Sequence, residues 1–455
     1  MIASGGTGTA TDLSSFGYQQ QLRRALSTRD LVVYGMVFMV PIAPFAIFGF
    51  VFEGSRGLVP LAYLLGLVGM LFTALSYAAM SQAFPVAGSV YSYAQRGLHE
   101  VAGFFAGWLI LLDYLLIPAL LYLVSAIGLQ PLFPGVPLPV WIVGFVVFNA
   151  SINLIGIQFT NRINWYMLIL ELLTLALFVV IGLYALYHGQ GAGRLTLAPI
   201  YNPQAFSLAT VAGATSIAVL SFLGFDGIST LSEESRDGQD SVGRATVLAL
   251  LLVAALFMLQ TWIATDLSHG TAFTSAATAF YEVSERAGGP WLRLTVVAVN
   301  ALASGIANAL AAQAAVSRML FAMARDRKLP AILARIHPRF RTPYFSTLIV
   351  AGISLVISWC FEHNLDILTD IVNFGALSSF LLLHLAVIRH FLIRGRSGRW
   401  GRHLLCPLLG FAVIAYVLVE MNQAAKVIGV CWLLTGIVYY AVLTRVLKRS
   451  ATLEV

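Results

Sequence analysis

Charged residues are scarce in this sequence and form only 10% of its 455 residues. Soluble globular domains usually carry about 25% charged residues, so the composition excludes an ordinary soluble protein of this length. Apolar residues make up 59% of the chain, and the mean hydropathy is +0.85. They stand in runs of roughly 20, long enough to cross about 30 Å of hydrocarbon as helices. Because open sheets cannot satisfy their backbone groups in lipid, we expect an all-α integral membrane protein.

Cysteine is also scarce, and Cys360, Cys406 and Cys431 lie far apart without a CxxC pair. This spacing gives no support to a metal or redox site. The sequence also lacks a recognisable catalytic triad, metal-ligand cluster or phosphate-binding loop, so we expect no enzyme activity and no cofactor. The net charge of +7 comes from basic residues placed between apolar runs. They lack the interleaved aromatic residues of single-strand binders, which argues against nucleic acid as a partner.

The apolar runs, separated by Gly, Pro and charged residues, predict about twelve transmembrane helices. These spans cover residues 30–52, 57–82, 101–129, 138–158, 163–187, 208–233, 243–266, 290–320, 343–361, 366–390, 404–421 and 424–446. An even number of spans places both ends of the chain on one side of the membrane. On that side lie 22 of the 27 Lys and Arg residues, and five lie on the other. Because short loops rich in positive charge stay in the cytoplasm, we expect both termini there.

Two of these spans are interrupted near their middle. Pro41 and Pro44 break span 1, and Gly224 and Gly227 flank Asp226 in span 6. Proline removes a backbone donor and clashes with the preceding turn, while glycine weakens a helix by about 1 kcal/mol relative to alanine. Spans 1 and 6 are five apart and therefore run in opposite directions. This pattern is typical of an inverted five-helix repeat with a substrate site at its broken helices, and ordinary proline kinks are the alternative.

Six stretches, spread over most of spans 1 to 10, carry a resemblance to a known family. They are AFPVAGSVYSYAQRGL (83–98), LLDYLLIP (111–118), SFLGFDGISTLSEES (221–235), VNALASGIANALAAQAAVSRMLFAMARD (299–326), HPRFRTP (337–343) and VNFGALSSF (372–380). The chain resembles the amino acid–polyamine–organocation superfamily of permeases, and within it the bacterial putrescine importers. The resemblance implies a leucine-transporter-type fold of five plus five inverted helices with two peripheral ones. It also implies a bacterial inner membrane and coupling to protons, with sodium as the alternative ion.

On this basis we expect five parts in the chain. They are a disordered cytoplasmic N-terminus at 1–27, a first five-helix repeat at 28–187, an inverted second repeat at 208–390, two peripheral helices at 404–446 and a cytoplasmic tail at 447–455. The N-terminal part is polar and lacks the apolar core of a cleavable signal peptide. We expect a monomer or a weak homodimer that contacts membrane lipid.

The resemblance also indicates where substrate binds, and it leaves the substrate open. As aligned, the putrescine importers carry an aspartate where this chain has Ala46, and an acid there would pair with an ammonium group. The chain equally lacks the glycine-rich run with which many amino acid members bind a carboxylate. Amine and amino acid therefore remain alternatives. The expected substrate-binding residues are Pro41, Ala43, Pro44, Phe45, Ala46, Asp113, Tyr114, Phe222, Gly224, Phe225 and Asp226.

Ionisable residues inside the spans are informative, because a charge at the bilayer centre costs about 2.5–3.5 kcal/mol or more. In the resemblance, Glu171 of span 5 takes the position where a proton-coupled amino acid member carries a lysine in place of a sodium ion. We expect Glu171 to carry the coupled proton, and a neutral structural glutamate is the alternative. Asp226 either caps the following half-helix or contacts substrate. Asp113 pairs either with an ammonium group or with a neighbouring helix.

Span 8 carries Asn300, Ser304 and Asn308 at helical spacing, which predicts one polar stripe. We expect this stripe either to form an ion or proton path with Glu171 or to hold helices together. His384, deep in span 10, is interpreted as structural. Four aromatic side chains near the breaks either wall a pocket that stacks on a cation or simply pack: Phe38, Phe45, Phe222 and Phe225.

These patterns together predict a secondary transporter that imports a small amine or amino acid with protons by alternating access. The closest alternative is an exchanger that swaps an amine for its parent amino acid. A membrane receptor that keeps this fold without transport is a further alternative. No loop between the predicted spans is long enough to hold a signalling domain, which argues against a receptor.

Overall fold

The computed structural model describes residues 13–16, 19–130, 132–238, 240–362, 365–421 and 423–446. The rest of the predicted N-terminal part, and the tail at 447–455, lie outside these residues. Residues 19–26 are described, and here the structure differs from the expected disorder. Leu22 and Leu26 are buried, and the backbone N–H groups of Ala25 and Leu26 both donate to the carbonyl of Glu234 at 3.0 Å. This contact anchors the segment before span 1 to the end of span 6.

Helices form the architecture throughout the described residues. The α-helices are α1 (Thr28–Met39), α2 (Pro44–Ser55), α3 (Val59–Ala83), α4 (Ser89–Gly97), α5 (Glu100–Leu129), α6 (Leu138–Ile155), α7 (Ile157–Tyr187), α8 (Leu208–Ala218), α9 (Asp240–Leu267), α10 (Ala279–Gly288), α11 (Pro290–Leu302), α12 (Ala309–Arg325), α13 (Tyr344–Cys360), α14 (Leu365–Val387), α15 (Cys406–Glu420) and α16 (Gln423–Ala441).

The predicted all-α membrane fold of about twelve spans is confirmed. In the described part of the chain, ten helical segments are long and apolar enough to cross a membrane, and the pair α1 and α2 forms an eleventh, bent by 53°. The remaining predicted span corresponds to α13, an apolar helix of 17 residues. The side chains that these helices turn outward are apolar, as a lipid-facing surface requires; Leu173, Val180 and Val419 are examples.

Span 1 consists of α1 and α2, and its break follows from the local sequence. Ser27 and Asp30 form a capping box that starts α1. The helix ends at Met39, where Val40 takes a left-handed φ of 53°. Pro44 then occupies the first turn of α2, where its missing N–H leaves no hydrogen bond unmade. Between the two helices the carbonyl groups of Val40, Ile42 and Ala43 accept hydrogen bonds within the turn, whereas that of Pro41 accepts one from a side chain of another helix.

Span 6 consists of α8 and two tight 3-10 segments, Val219–Phe222 and Phe225–Glu234. Gly224 between them has φ of +118°, which favours glycine. In the second segment, the hydroxyl groups of Ser229, Thr230 and Ser232 each donate to the carbonyl three residues earlier, at 2.6–2.7 Å. Such local bonds compete with α-helical pairing and stabilise the tighter turn.

Spans 1 and 6 cross in opposite directions at their breaks. Gly35 packs on Ile228, whereas Phe38, one turn further along α1, packs on Gly224. A Cβ atom on Gly227 would lie 2.3 Å from the Phe38 ring, so the approach of the two spans requires glycine there. The predicted antiparallel relation of these spans agrees with this geometry.

Span 8 consists of α11 and α12 joined by a π-helical segment, Ala303–Asn308. A π turn inserts an extra residue into the helix, and such turns are frequent at functional sites. The expected continuous stripe of Asn300, Ser304 and Asn308 is therefore interrupted. The carbonyl of Gly305 within this turn accepts a hydrogen bond from Asn149 Nδ2 of α6 at 2.8 Å.

Candidate functional site

Asp226 lies beside the break of span 6 and is almost completely buried. The hydroxyl group of Tyr114, on α5, donates to Asp226 Oδ2 at 2.5 Å. This bond joins span 3 to the interrupted segment, which brings together two of the predicted substrate-binding residues. Among the described residues, Asp226 forms no ion pair.

Asp113 precedes Tyr114 and is also buried, with only 1% of its surface exposed. Its Oδ1 atom has no hydrogen-bond partner in the described structure. α14 packs closely at this point, since a Cβ atom on Gly375 would lie 2.7 Å from the Asp113 backbone nitrogen. Asp113 and Asp226 thus form a buried acidic pair without a basic partner among the described side chains, an arrangement that a cationic group can complement.

An aromatic cluster lies beside this acidic pair, and sequence interpretation found only part of it. Phe225 packs edge-to-face on Tyr77 of α3 with ring centroids 5.9 Å apart, and Phe380 of α14 packs on the same tyrosine at 5.8 Å. Tyr77 and Phe380 were not predicted from the sequence as site residues. Phe380 ends the family-like stretch VNFGALSSF, which could have indicated it. Aromatic faces attract organic cations.

The other three predicted aromatic residues contact neighbouring rings and glycines. Phe45 stacks on Phe280 of α10 with ring centroids 4.1 Å apart, and Phe38 covers the glycines of span 6. Phe222 packs edge-to-face on Phe257 at 5.2 Å. These contacts are of the kind that the packing alternative predicts.

The break of span 1 is held by a side chain that the sequence did not point to. Gln260 of α9 is fully buried, and its Nε2 atom donates to the carbonyl of Pro41 at 2.8 Å. Pro44 is buried at the start of α2, while Ala43 and Ala46 are partly exposed beside it. No acid occupies this turn, so the charge of the candidate site comes from spans 3 and 6.

Glu171 of α7 is completely buried, and neither carboxyl oxygen has a partner among the described residues. Two contacts fix its height relative to span 1. Asn161 Nδ2 donates to Asp30 Oδ1 at 2.8 Å, and the Phe178 and Phe45 rings lie 6.0 Å apart. Ten residues after Asn161 correspond to about 15 Å of helix rise, which puts Glu171 near the level of the break.

The polar residues of span 8 contact two different sets of helices. Asn300 Nδ2 donates to the hydroxyl group of Tyr281 on α10 at 3.0 Å. The π-helical segment with Ser304 and Asn308 contacts α1, α5 and α7 instead. Asn308 Oδ1 has no partner in the described chain. Two of the three predicted coupling residues of span 8 thus lie on a segment that contacts both span 1 and the helix of Glu171.

His384 forms hydrogen bonds within the bundle, which agrees with its interpretation as a structural residue. It is buried in α14, and its ring nitrogens lie 3.2 Å from Thr73 Oγ1 and 3.0 Å from Ser76 Oγ of α3. Both nitrogens are therefore satisfied by neutral hydroxyl groups, and the ring joins spans 2 and 10.

Two ion pairs, one buried and one partly buried, join the end of span 6 to the end of span 8. Glu234 pairs with Arg318, and Glu233 forms a two-pronged pair with Arg325 at 2.9 and 3.1 Å. Glu233 also accepts a hydrogen bond from the backbone N–H of Ala87 at 3.0 Å. Removal of one partner from a buried ion pair destabilises a protein by about 3–5 kcal/mol, because the other charge is left without a partner. We call this end of the bundle, with the α6–α7 turn and the α12–α13 loop, the basic end.

Known proteins similar to this chain share nearly its full length. A family profile described as "Amino acid permease" matches residues 30–448. The low-affinity putrescine importer PlaP of Escherichia coli (strain K12) is 31% identical over 435 residues, 93% of this chain and 94% of the relative. The branched-chain amino acid permease BcaP of Bacillus subtilis (strain 168) is 25% identical over 458 residues, 94% of each. The methylthioribose transporter of the same organism is 25% identical over 465 residues, 95% and 96%.

The fold and the site define a class, a multi-pass membrane transporter with interrupted helices around buried carboxylates. Within this class the chain belongs to the amino acid permease family, a part of the amino acid–polyamine–organocation superfamily. The expected resemblance is confirmed, as is the expectation that the chain is not an enzyme. The protein is a transporter for amino acids or amines.

Proposed function

We propose that this protein imports a small amine or amino acid together with protons by alternating access. The observation that carries the proposal is the buried acidic pair of Asp113 and Asp226, which has no basic partner among the described residues. An ammonium group is the feature that amines and amino acids share, and a buried carboxylate is stabilised by such a partner. The putrescine importer among the relatives supports the same substrate chemistry.

In this proposal the two breaks form the site and Glu171 carries the coupled proton. Asp226, held by Tyr114, and Asp113 receive the ammonium group. Phe225 and the residues at the break of span 1 border the substrate; the latter are Pro41, Ala43, Pro44 and Ala46. The π-helical segment of span 8 links Glu171 to span 1. The two sets of five spans, 28–187 and 208–390, act as inverted repeats, and both chain termini face the cytoplasm because basic loops stay there.

Uptake by the purified protein in proteoliposomes tests the proposal. Radiolabelled diamines, monoamines and amino acids are offered as a panel, first with an imposed inward proton gradient and then in counterflow. Gradient-driven accumulation of one class, abolished by a protonophore, is expected. Uptake that requires substrate on both sides would replace import by the exchanger alternative. Absence of both uptake and counterflow, with substrate binding intact, would favour the receptor.

A further inference from the structure

A cavity of about 300 Å³ lies at the basic end, lined by residues other than Asp113 and Asp226. Its walls come from the α6–α7 turn, the α12–α13 loop, the segment before span 1 and the end of span 6. Four arginine side chains line it: Arg23, Arg162, Arg339 and Arg341. The cavity therefore carries a concentrated positive charge.

No acidic side chain among the described residues neutralises the charge of these arginines. None of the four arginines forms an ion pair with a described side chain. Glu234, the one acid in the lining, is already paired with Arg318. The first turn of the long helix α7 also lines the cavity, and the N-terminus of a helix favours a bound anion. Like charges around one cavity repel each other, so a bound anion would stabilise the arrangement.

The arginines of the α12–α13 loop are held in place by a closed backbone turn. The His337 N–H donates to the carbonyl of Thr342 at 2.8 Å, and His337 Nδ1 accepts from the N–H groups of Arg339 and Phe340 at 3.2 Å. Thr342 Oγ1 donates to the carbonyl of Leu154 at 3.1 Å, which fastens this loop to α6. The cavity is thus built from ordered backbone.

The cavity also borders the lipid-facing surface. Ile155 and Phe159 belong to its lining and are exposed to 46% and 40%. Trp165 and Tyr166, both exposed, follow about two turns further along α7, and such residues favour the membrane–water interface. On α6, an open apolar face runs from Pro139 to Ile152. It ends three residues before Ile155, about 4.5 Å along the helix.

We propose that the cavity binds the phosphate headgroup of an anionic phospholipid, with an acyl chain along the apolar face of α6. Arg162, Arg339 and Arg341 neutralise the phosphate, as basic pockets between transmembrane helices do. The bound lipid bridges the α6–α7 turn, the α12–α13 loop and the segment before span 1. It therefore stabilises the arrangement in which these three segments meet. The proposal does not depend on which substrate is transported.

Native mass spectrometry of the detergent-purified protein tests this site. Phosphatidylglycerol and phosphatidylethanolamine of equal chain length are titrated separately, and the bound fraction is measured. The wild type is expected to retain phosphatidylglycerol preferentially. Arg339→Gln/Arg341→Gln should lose about 30-fold in affinity for it, since each basic residue contributes about 1 kcal/mol. Arg335→Gln, an exposed arginine of the same loop outside the lining, is the matched control and should bind as the wild type.

Three results would overturn the proposal. Equal retention of the two lipids by the wild type would remove the headgroup preference, and unchanged retention by the double variant would remove the arginines. If inorganic phosphate displaces phosphatidylglycerol and raises the melting temperature as much as the lipid does, the cavity is a site for free anions. Size-exclusion profiles check that the double variant is folded. If it is not, Arg162→Gln, on α7, carries the same expectation of weaker phosphatidylglycerol binding.

Discussion

At the residue scale, Glu171 is a completely buried carboxyl group without a hydrogen-bond partner among the described residues. A charged carboxylate without hydrogen bonds is very unfavourable in a buried site, whereas the protonated form is tolerated. Its position near the level of the span 1 break means that movement of span 1 changes its surroundings. A group that couples a proton to transport must hold the proton differently in the outward and inward states.

We therefore predict that Glu171→Gln abolishes accumulation driven by a pH gradient but preserves substrate binding and exchange. Glutamine keeps the shape of the protonated side chain and cannot release a proton. Glu171→Asp should keep partial activity with a shifted pH optimum, because the shorter side chain moves the carboxyl group by about 1.5 Å, close to one bond length. Uptake into proteoliposomes with an imposed gradient, beside equilibrium binding, measures both.

Glu53→Gln, at an exposed position of α2, is the matched control for this change and should behave as the wild type. Full gradient-driven accumulation by Glu171→Gln would remove Glu171 from the mechanism. Reduced binding by both Glu171 variants, without any change in pH dependence, would identify a structural glutamate.

Ala46 gives a second prediction at this scale, concerning the charge of the substrate. Ala46→Asp should increase uptake of diamines relative to amino acids, because it places a carboxylate in the first turn of α2, where a helix start favours negative charge. Competition of unlabelled diamines against a labelled amino acid provides the measurement. Ala46→Asn has nearly the same shape without the charge and should show no such preference. Unchanged competition by a well-expressed aspartate variant would contradict the alignment of span 1.

The sequence predicted the acidic residues of the site but not their contacts. Asp113, Tyr114 and Asp226 stood out because polar groups are rare inside transmembrane runs. The bond between Tyr114 and Asp226 joins residues 112 positions apart and depends on how two helices cross, which no local pattern encodes. Gln260 was missed for the same reason, since its partner is the backbone carbonyl of Pro41.

At the element scale, the crossing of spans 1 and 6 depends on the glycines of the second break. The Phe38 ring occupies the space that a Cβ atom of residue 227 would need. Proline and glycine in the sequence predicted both breaks, because these residues act on their own backbone. The close approach of a phenylalanine was not predictable, since it requires the register of two distant segments.

We predict that Gly227→Ala destabilises the protein by about 1–3 kcal/mol, the usual cost of overpacking. The melting temperature in detergent should fall, and the second change Phe38→Leu should recover part of the loss by opening space. Gly213→Ala is the matched control, because a Cβ atom there meets no heavy atom within 4 Å. A Gly227→Ala protein as stable as the Gly213→Ala protein would show that the two spans are not in close contact.

At the scale of the whole molecule, the unequal distribution of basic residues gives a testable orientation. In a variant with Cys360, Cys406 and Cys431 replaced by serine, Arg335→Cys should resist an impermeant thiol reagent in intact cells. Arg194→Cys, in the segment between α7 and α8, should react. Both are exposed arginines, so the comparison is matched. Labelling of Arg335→Cys from outside, with Arg194→Cys protected, would invert the topology.

The π turn of span 8 also sets the direction in which the end of that span faces. Each residue of an α-helix advances the side chain by about 100°, so one inserted residue rotates everything after it by that angle. Arg318 and Arg325 follow the turn, and their bonds to Glu234 and Glu233 depend on the rotation. Span 8 is thus a helix whose two halves differ in phase, and the phase difference aligns its arginines with the glutamates of span 6.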